Sequence, residues 1–144
     1  MARVGTYDPK GIVITIGSNL ITGYAEDTFV SVEPSGDGTA AVAGADGEVA
    51  RSLSHNPLHR LTLTLQQTSM SNDVLSDLLA LDRASGGGGV VPVQIRDLRG
   101  NTVFAASQAW VVQAPAMEFG SEVSEREWEL DCVATEYYIG GVAS

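Results

Sequence analysis

The sequence predicts a mainly β fold carrying one α-helix, and three observations lead there. Short runs of β-branched residues bounded by turn residues recur along most of the chain, as in Gly11-Ile12-Val13-Ile14-Thr15-Ile16 followed by Gly17-Ser18-Asn19. The stretch Leu61-Thr62-Leu63-Thr64-Leu65 alternates strictly, so three leucines share one face of a strand. Directly after it comes the one convincing helical segment, in which Val74, Leu75, Leu78, Leu79 and Leu81 form an apolar stripe.

Taken in order, Tyr7-Asp8-Pro9-Lys10 reads as a turn, and the first strand follows from Gly11 to Ile16. Leu20-Ile21-Thr22-Gly23-Tyr24 and Thr28-Phe29-Val30-Ser31-Val32-Glu33 continue an antiparallel meander that ends where Pro34 removes a ladder donor. Residues 34–47, PSGDGTAAVAGADG, hold so little large apolar surface that they read as a long flexible arm, with Pro34, Asp37, Ala41, Ala45, Asp46 and Gly47 as its marker residues. A polar connection with His55 and His59 leads into the leucine strand.

The helix is expected over about residues 69–84. Ser69, Ser71 and Asn72 are candidate N-caps, Asp73 sets a carboxylate near the positive helix end, and Ser85 with Gly86 to Gly89 stops it. A helix of that length is marginal alone in water, so Leu75, Leu78 and Leu79 are expected to dock it on the sheet as a structural core. Val90 to Arg96 is a strand, Asp97-Leu98-Arg99-Gly100-Asn101 a hairpin connection, and Thr102 to Gln113 the returning strand. There Phe104, Ala106, Gln108, Trp110 and Val112 share one parity, leaving Val103, Ala105, Ser107, Ala109 and Val111 as a smoother face. In the last strand, about Val123 to Tyr138, Trp128, Leu130, Cys132 and Ala134 fall on one side and Glu125, Glu127, Glu129 and Asp131 on the other. Gly140 to Ser144 reads as a frayed tail.

Composition narrows the function classes. A chain of 144 residues suffices for one domain spanning 1–144, and no apolar run approaches the roughly 20 residues that cross a bilayer, so no membrane anchor is expected. One cysteine excludes an internal disulfide, and the opening MARVGTYDPKG lacks the apolar core of a secretory signal, which fits a reducing cytoplasm. Eighteen acidic against eight basic residues give a net charge of −10, opposed to any surface that grips nucleic-acid phosphates. No catalytic set, cofactor site or metal site emerges. The glycine run closes a helix rather than opening one, and Pro57 disfavours the helix that would put His55 and His59 on one face, so both read as solvated. Cys132, mid-strand beside Trp128 and Leu130, reads as a core residue.

Several segments together resemble the tail-tube proteins of contractile-tailed bacteriophages. They are Tyr7-Asp8-Pro9, Ile21-Thr22-Gly23-Tyr24, Thr28-Phe29-Val30 and Asp46-Gly47-Glu48-Val49-Ala50-Arg51. They continue in Gln66-Gln67-Thr68-Ser69 with Ser71-Asn72-Asp73, then Asp97-Leu98-Arg99-Gly100, Ala109-Trp110 and Glu127-Trp128-Glu129-Leu130. Such proteins are similar in fold to tube proteins of type VI secretion systems and bacteriocin-like injection machines. The resemblance implies an antiparallel β-sandwich or half-barrel with one flanking helix, and a structural rather than enzymatic role. It implies a major tail tube subunit in stacked hexameric rings, a homohexamer in helical assembly that forms the inner conduit of a virion's contractile tail. Expected partners are further copies of itself, the tail sheath, baseplate and tape-measure proteins, and double-stranded DNA in transit during genome ejection, without specific binding. Assembly is then expected in the host bacterial cytoplasm.

Physics points the same way, since joining subunits edge to edge removes exposed strand edges and an acidic lumen passes DNA without sticking. Glu125, Glu127, Glu129 and Asp131 are the candidate lumen-facing row, and residues 34–47 the candidate assembly arm. The alternatives are a tube-initiating or baseplate ring protein of the same fold, and a monomeric β-sandwich ligand-binding module.

Overall fold

The structure is a computed structural model that describes residues 2–142. Its strands are β1 (Ile12–Ile16), β2 (Asn19–Leu20), β3 (Val30–Pro34), β4 (Thr39–Ala43), β5 (Val49–Leu53), β6 (Leu58–Gln66), β7 (Val91–Asp97), β8 (Val103–Gln113) and β9 (Glu125–Tyr138), with helix α1 (Ser71–Ser85) between β6 and β7. Seven strands form one antiparallel sheet in the order β2-β1-β7-β8-β9-β6-β3, and β4 and β5 form a separate two-stranded ladder. The expected strand through Tyr24 is shorter than its pattern: pairing stops at Leu20, and Tyr24 returns as an isolated bridge to Leu65.

Alternation decides which face is dry. Leu61, Leu63 and Leu65 on β6 are fully buried, as are Ile14 and Ile16 on β1, Ala109 on β8, and Leu130 and Cys132 on β9. The sheet curls about this face, because Ile12 and Ile95 from one end of the strand order line the same cavity as Val30 and Val32 from the other. The result is a half-barrel with β2 and β3 as its two edges.

Helix α1 closes the curled face by docking against β8. Leu75 is fully buried and Leu78 and Leu79 pack on the core at partial burial, while Leu81 is 51% exposed and lies outside the docking stripe. The first turn is tied down by the side chains of Ser69, just before it, and of Ser71 and Asn72 within it. Ser69 Oγ accepts from the Ser71 amide at 3.1 Å and donates to the Thr22 carbonyl at 2.6 Å, while Ser71 Oγ accepts the Thr22 amide at 2.9 Å. Asn72 Nδ2 donates to the carbonyls of Gln66 and Ser69, and its Oδ1 accepts the Trp128 indole N–H at 2.9 Å. Gly23 belongs to this lock: its φ is +74°, and a Cβ there would lie 2.5 Å from Ser69 Cβ.

The segment 34–47 departs from the irregular arm expected of it. Thr39–Ala43 is strand β4, paired in register with Val49–Leu53, and a turn through Gly47 at φ +88° joins the two. Small side chains do not prevent a ladder whose energy lies in backbone hydrogen bonds, although every residue of this hairpin is exposed. The tail also differs from expectation. Asn101 donates its amide to the Gly141 carbonyl at 2.9 Å and Gly100 bridges Val142, which leaves only the Ala143 and Ser144 portion of the frayed tail outside the described residues.

Leu75→Ala is expected to cost about 2–5 kcal/mol by leaving a cavity under the helix, and Leu78→Ala less because that side chain is only partly enclosed. Thermal unfolding checks the order. Gly23→Ala should also lower the melting temperature, through clash and strain together, while Gly38→Ala, which meets nothing within 4 Å, should leave it nearly unchanged.

Candidate assembly site

Register places the four acids of β9 on the sheet face opposite the core. Glu125 stands beside Gln66, Glu127 beside Thr64, Glu129 beside Thr62 and Asp131 beside Arg60. Glu125 and Glu127 are exposed, while Glu129 and Asp131 are half-buried. The row is therefore not uniform in charge. Arg60 donates from Nε to Asp131 at 2.8 Å and from Nη1 to Glu129 at 3.0 Å, a two-pronged contact that offsets one of the two charges at this end of the row. The Arg60 partnership was invisible in either strand alone; it needed the pairing of β6 with β9. At the other end, Glu118 joins Glu125, Glu127 and Glu129 around a groove of about 250 Å³ whose opposite wall is Gln113 to Ala116.

Trp110 also stands on this face, contrary to the single parity expected for its strand. Bulges shift the pairing between Ala106 and Gln108, so the buried set of β8 is Phe104 and Ala106, then Ala109 and Val111, and Trp110 comes opposite Asp131. A second irregularity passes over Thr135 and brings Tyr137 opposite Phe104. There Tyr137 meets His59, with ring centres 4.8 Å apart, and donates its hydroxyl to the Val32 carbonyl at 3.2 Å. His59 is correspondingly buried, 9% exposed and bonded through Nδ1 to the Pro57 carbonyl at 2.9 Å, whereas His55 is solvated. The expectation of two solvated histidines fails at His59 because even spacing with Leu61 puts it on the core side of β6.

Cys132 has no exposure, and burial together with the neighbouring Asp131 charge pushes its thiol up to about 12. Among the described residues no group of three or more His, Cys, Asp or Glu side chains is arranged to hold a metal ion.

The arm residues sit apart from the acid row. Pro34 ends β3 opposite His59, and Ala41 pairs with Arg51. Asp46 accepts the Glu48 amide at 3.0 Å, and Gly47 donates to the Gly44 carbonyl at 3.0 Å. Asp37 and Ala45 are exposed.

Comparison with known proteins decides the family. The model of the Bacteriophage PhiTE tail tube protein family matches residues 11–140. The chain belongs to the phage tail tube proteins. A relative of this tube protein, Structural protein ORF10 of Pseudomonas phage KPP10, is 33% identical over 146 residues, covering 96% of the chain and 84% of the relative. The fold is that of injection-machine tubes. The sheath-tube complex of the extracellular contractile injection system PVC aligns with a TM-score of 0.62 at 14% identity, covering 95% of this chain and 93% of its own. The tube-terminating cap of the anti-feeding prophage aligns at 0.57 and 10% identity, covering 92% and 90%.

In this tube protein, Arg60→Ala should cost no more than about 1 kcal/mol, since the pair is partly solvated, and the loss should shrink in 1 M salt. Denaturant melts at the two salt concentrations read this directly. Cys132 should resist thiol reagents in the native state. Its folded pKa is raised, so its contribution is complete below the unfolded value near 9 and is lost as pH rises through the folded value near 12. Unfolding followed across that window, with Cys132→Ala as control, should show the cysteine's share of the alkaline loss.

Proposed function

We propose that this chain is the major subunit of a phage tail tube: copies join edge to edge into hexameric rings, and rings stack into the conduit through which the genome leaves. The observation that carries this reading is the open seven-stranded sheet of a tube-family chain, with β2 and β3 as unpaired edges. Such edges are templates for pairing, and joining β3 of one copy to the β2 end of the next would leave none free within a closed ring. The face bearing Glu125, Glu127, Glu129 and Asp131 is assigned to the lumen, where like charge keeps DNA phosphates from adhering. The exposed β4–β5 hairpin is assigned to contacts between copies, because an isolated two-stranded ladder is marginal in water. The sheath would surround the tube, with baseplate and tape-measure proteins at its ends and inside it, the whole being built in the host cytoplasm.

A terminal or initiating ring is the second reading, favoured by the likeness to a tube-terminating cap and to a PVC sheath/tube terminator. Electron microscopy of concentrated purified protein separates the two. Tubes of indefinite length support the major subunit, rings that stop at one or two layers support the terminal role, and a concentration-independent 15.1 kDa monomer overturns both.

The lumen assignment has its own test. Glu125→Lys with Glu127→Lys leaves the Arg60 pair intact, so the fold should hold and tubes should form at least as readily at low salt. DNA ejection from virions carrying this pair should slow, and most at low ionic strength. Unchanged ejection kinetics would move the acid row off the conduit wall.

A further inference from the structure

At the end of the half-barrel where β9 finishes, the core opens into a cavity of about 190 Å³. Ile12, Val30, Val32, Ile95, Phe104 and Ile139 supply its apolar wall, and Asp97, 9% exposed, places a carboxylate there. A cavity of roughly 150 Å³ accommodates a benzene ring, so this one has room for a single aromatic side chain. At the start of β9, one such side chain stands with nothing covering it. Phe119 is 77% exposed, yet it is not loosely placed: Arg126 donates from Nη2 to the adjacent Glu118 carbonyl at 2.7 Å, and its guanidinium carbon lies 5.8 Å from the Phe119 ring centre.

We infer that the cavity is a socket for Phe119 of a second copy of this chain, so that ring stacking is a knob-and-socket contact. The choice of partner rests on the tube reading above. Three further features support it. Phe119 cannot reach its own socket, because the residues from Glu125 to Tyr137 on β9 separate the two by about 40 Å of strand. A knob at one end and a socket at the other make a heterologous contact that repeats without closing, as a tube axis requires. The charges also match, since Arg126 travels with the knob and Asp97 waits in the socket wall. Few such matches are available between copies that each carry a net charge of −10, which places the burden of attraction on apolar fit.

Two variants test this without disturbing either fold, because both side chains are exposed: Phe119→Ala removes the knob, and Ile139→Asp, at a side chain 73% exposed, spoils the socket. Each alone should raise the concentration at which wild-type protein assembles by at least tenfold, with unchanged thermal midpoint. Mixed, they should form one contact, the Ile139→Asp knob in the Phe119→Ala socket, giving complexes of two layers and no longer ones by light scattering and microscopy. Tubes that form equally well with Phe119→Ala overturn the socket and leave the tube reading standing. Short oligomers that depend on Phe119 but never become tubes overturn the tube reading and keep the socket. Protein that stays monomeric at every concentration overturns both.

Discussion

The pairing of β6 with β9 is the interaction on which the rest depends. Nine consecutive partners, from Leu58 with Val133 to Gln66 with Glu125, run without a break. On one side they bring Leu61, Leu63 and Leu65 together with Trp128, Leu130 and Cys132 in the buried core. On the other they bring Arg60 to Glu129 and Asp131. A slip of β9 by one residue would exchange its faces, burying four carboxylates and exposing Trp128, Leu130 and Cys132, so register is enforced by hydrophobic burial and by charge desolvation at once. The helix then docks through Leu75 because Trp128, fixed by the same ladder, offers its indole N–H to Asn72.

Much of this was legible in the sequence for a simple reason: period two in β6 and β9, and period 3.6 in α1, report burial directly. Alternation separates Trp128, Leu130 and Cys132 from the acids along β9, and those three are the buried residues of the strand, as Leu75 is of the helical stripe. What stayed hidden was of two kinds. Partnerships across strands, such as Arg60 with Asp131 or Ser69 with Thr22, join residues 71 and 47 positions apart and leave no local trace. Irregular phase is the other. Even parity groups Trp110 with Phe104 only until the bulge between Ala106 and Gln108, which no residue type announces, and the hairpin β4–β5 leaves no pattern because alanine and glycine carry little hydrophobic signal even when their backbones pair.

The distribution of charge on this tube protein shows how a strongly acidic chain remains compact. Its acids are spread over the outer face of β9, over the helix at Asp73, Asp77 and Asp82, and over loops. Arg60 bridges Glu129 and Asp131, and Arg99 stands 3.9 Å from Asp8. Self-repulsion is thereby lowered inside the fold while the net charge, −10, is kept at the surface.

The bulges of β8 give the long strands two phases instead of one. Before Ala106 the even residues face inward, and from Ala109 the odd ones do. A single-residue insertion or deletion elsewhere in the strand would invert everything downstream of it, but between Ala106 and Ala109 the chain already holds a spare position that can lengthen or vanish at the expense of local twist. A second irregularity, between Val111 and Gln113, offers the same freedom near the end of the strand, so a change of length at either bulge alters the phase at the surface and leaves the core in step.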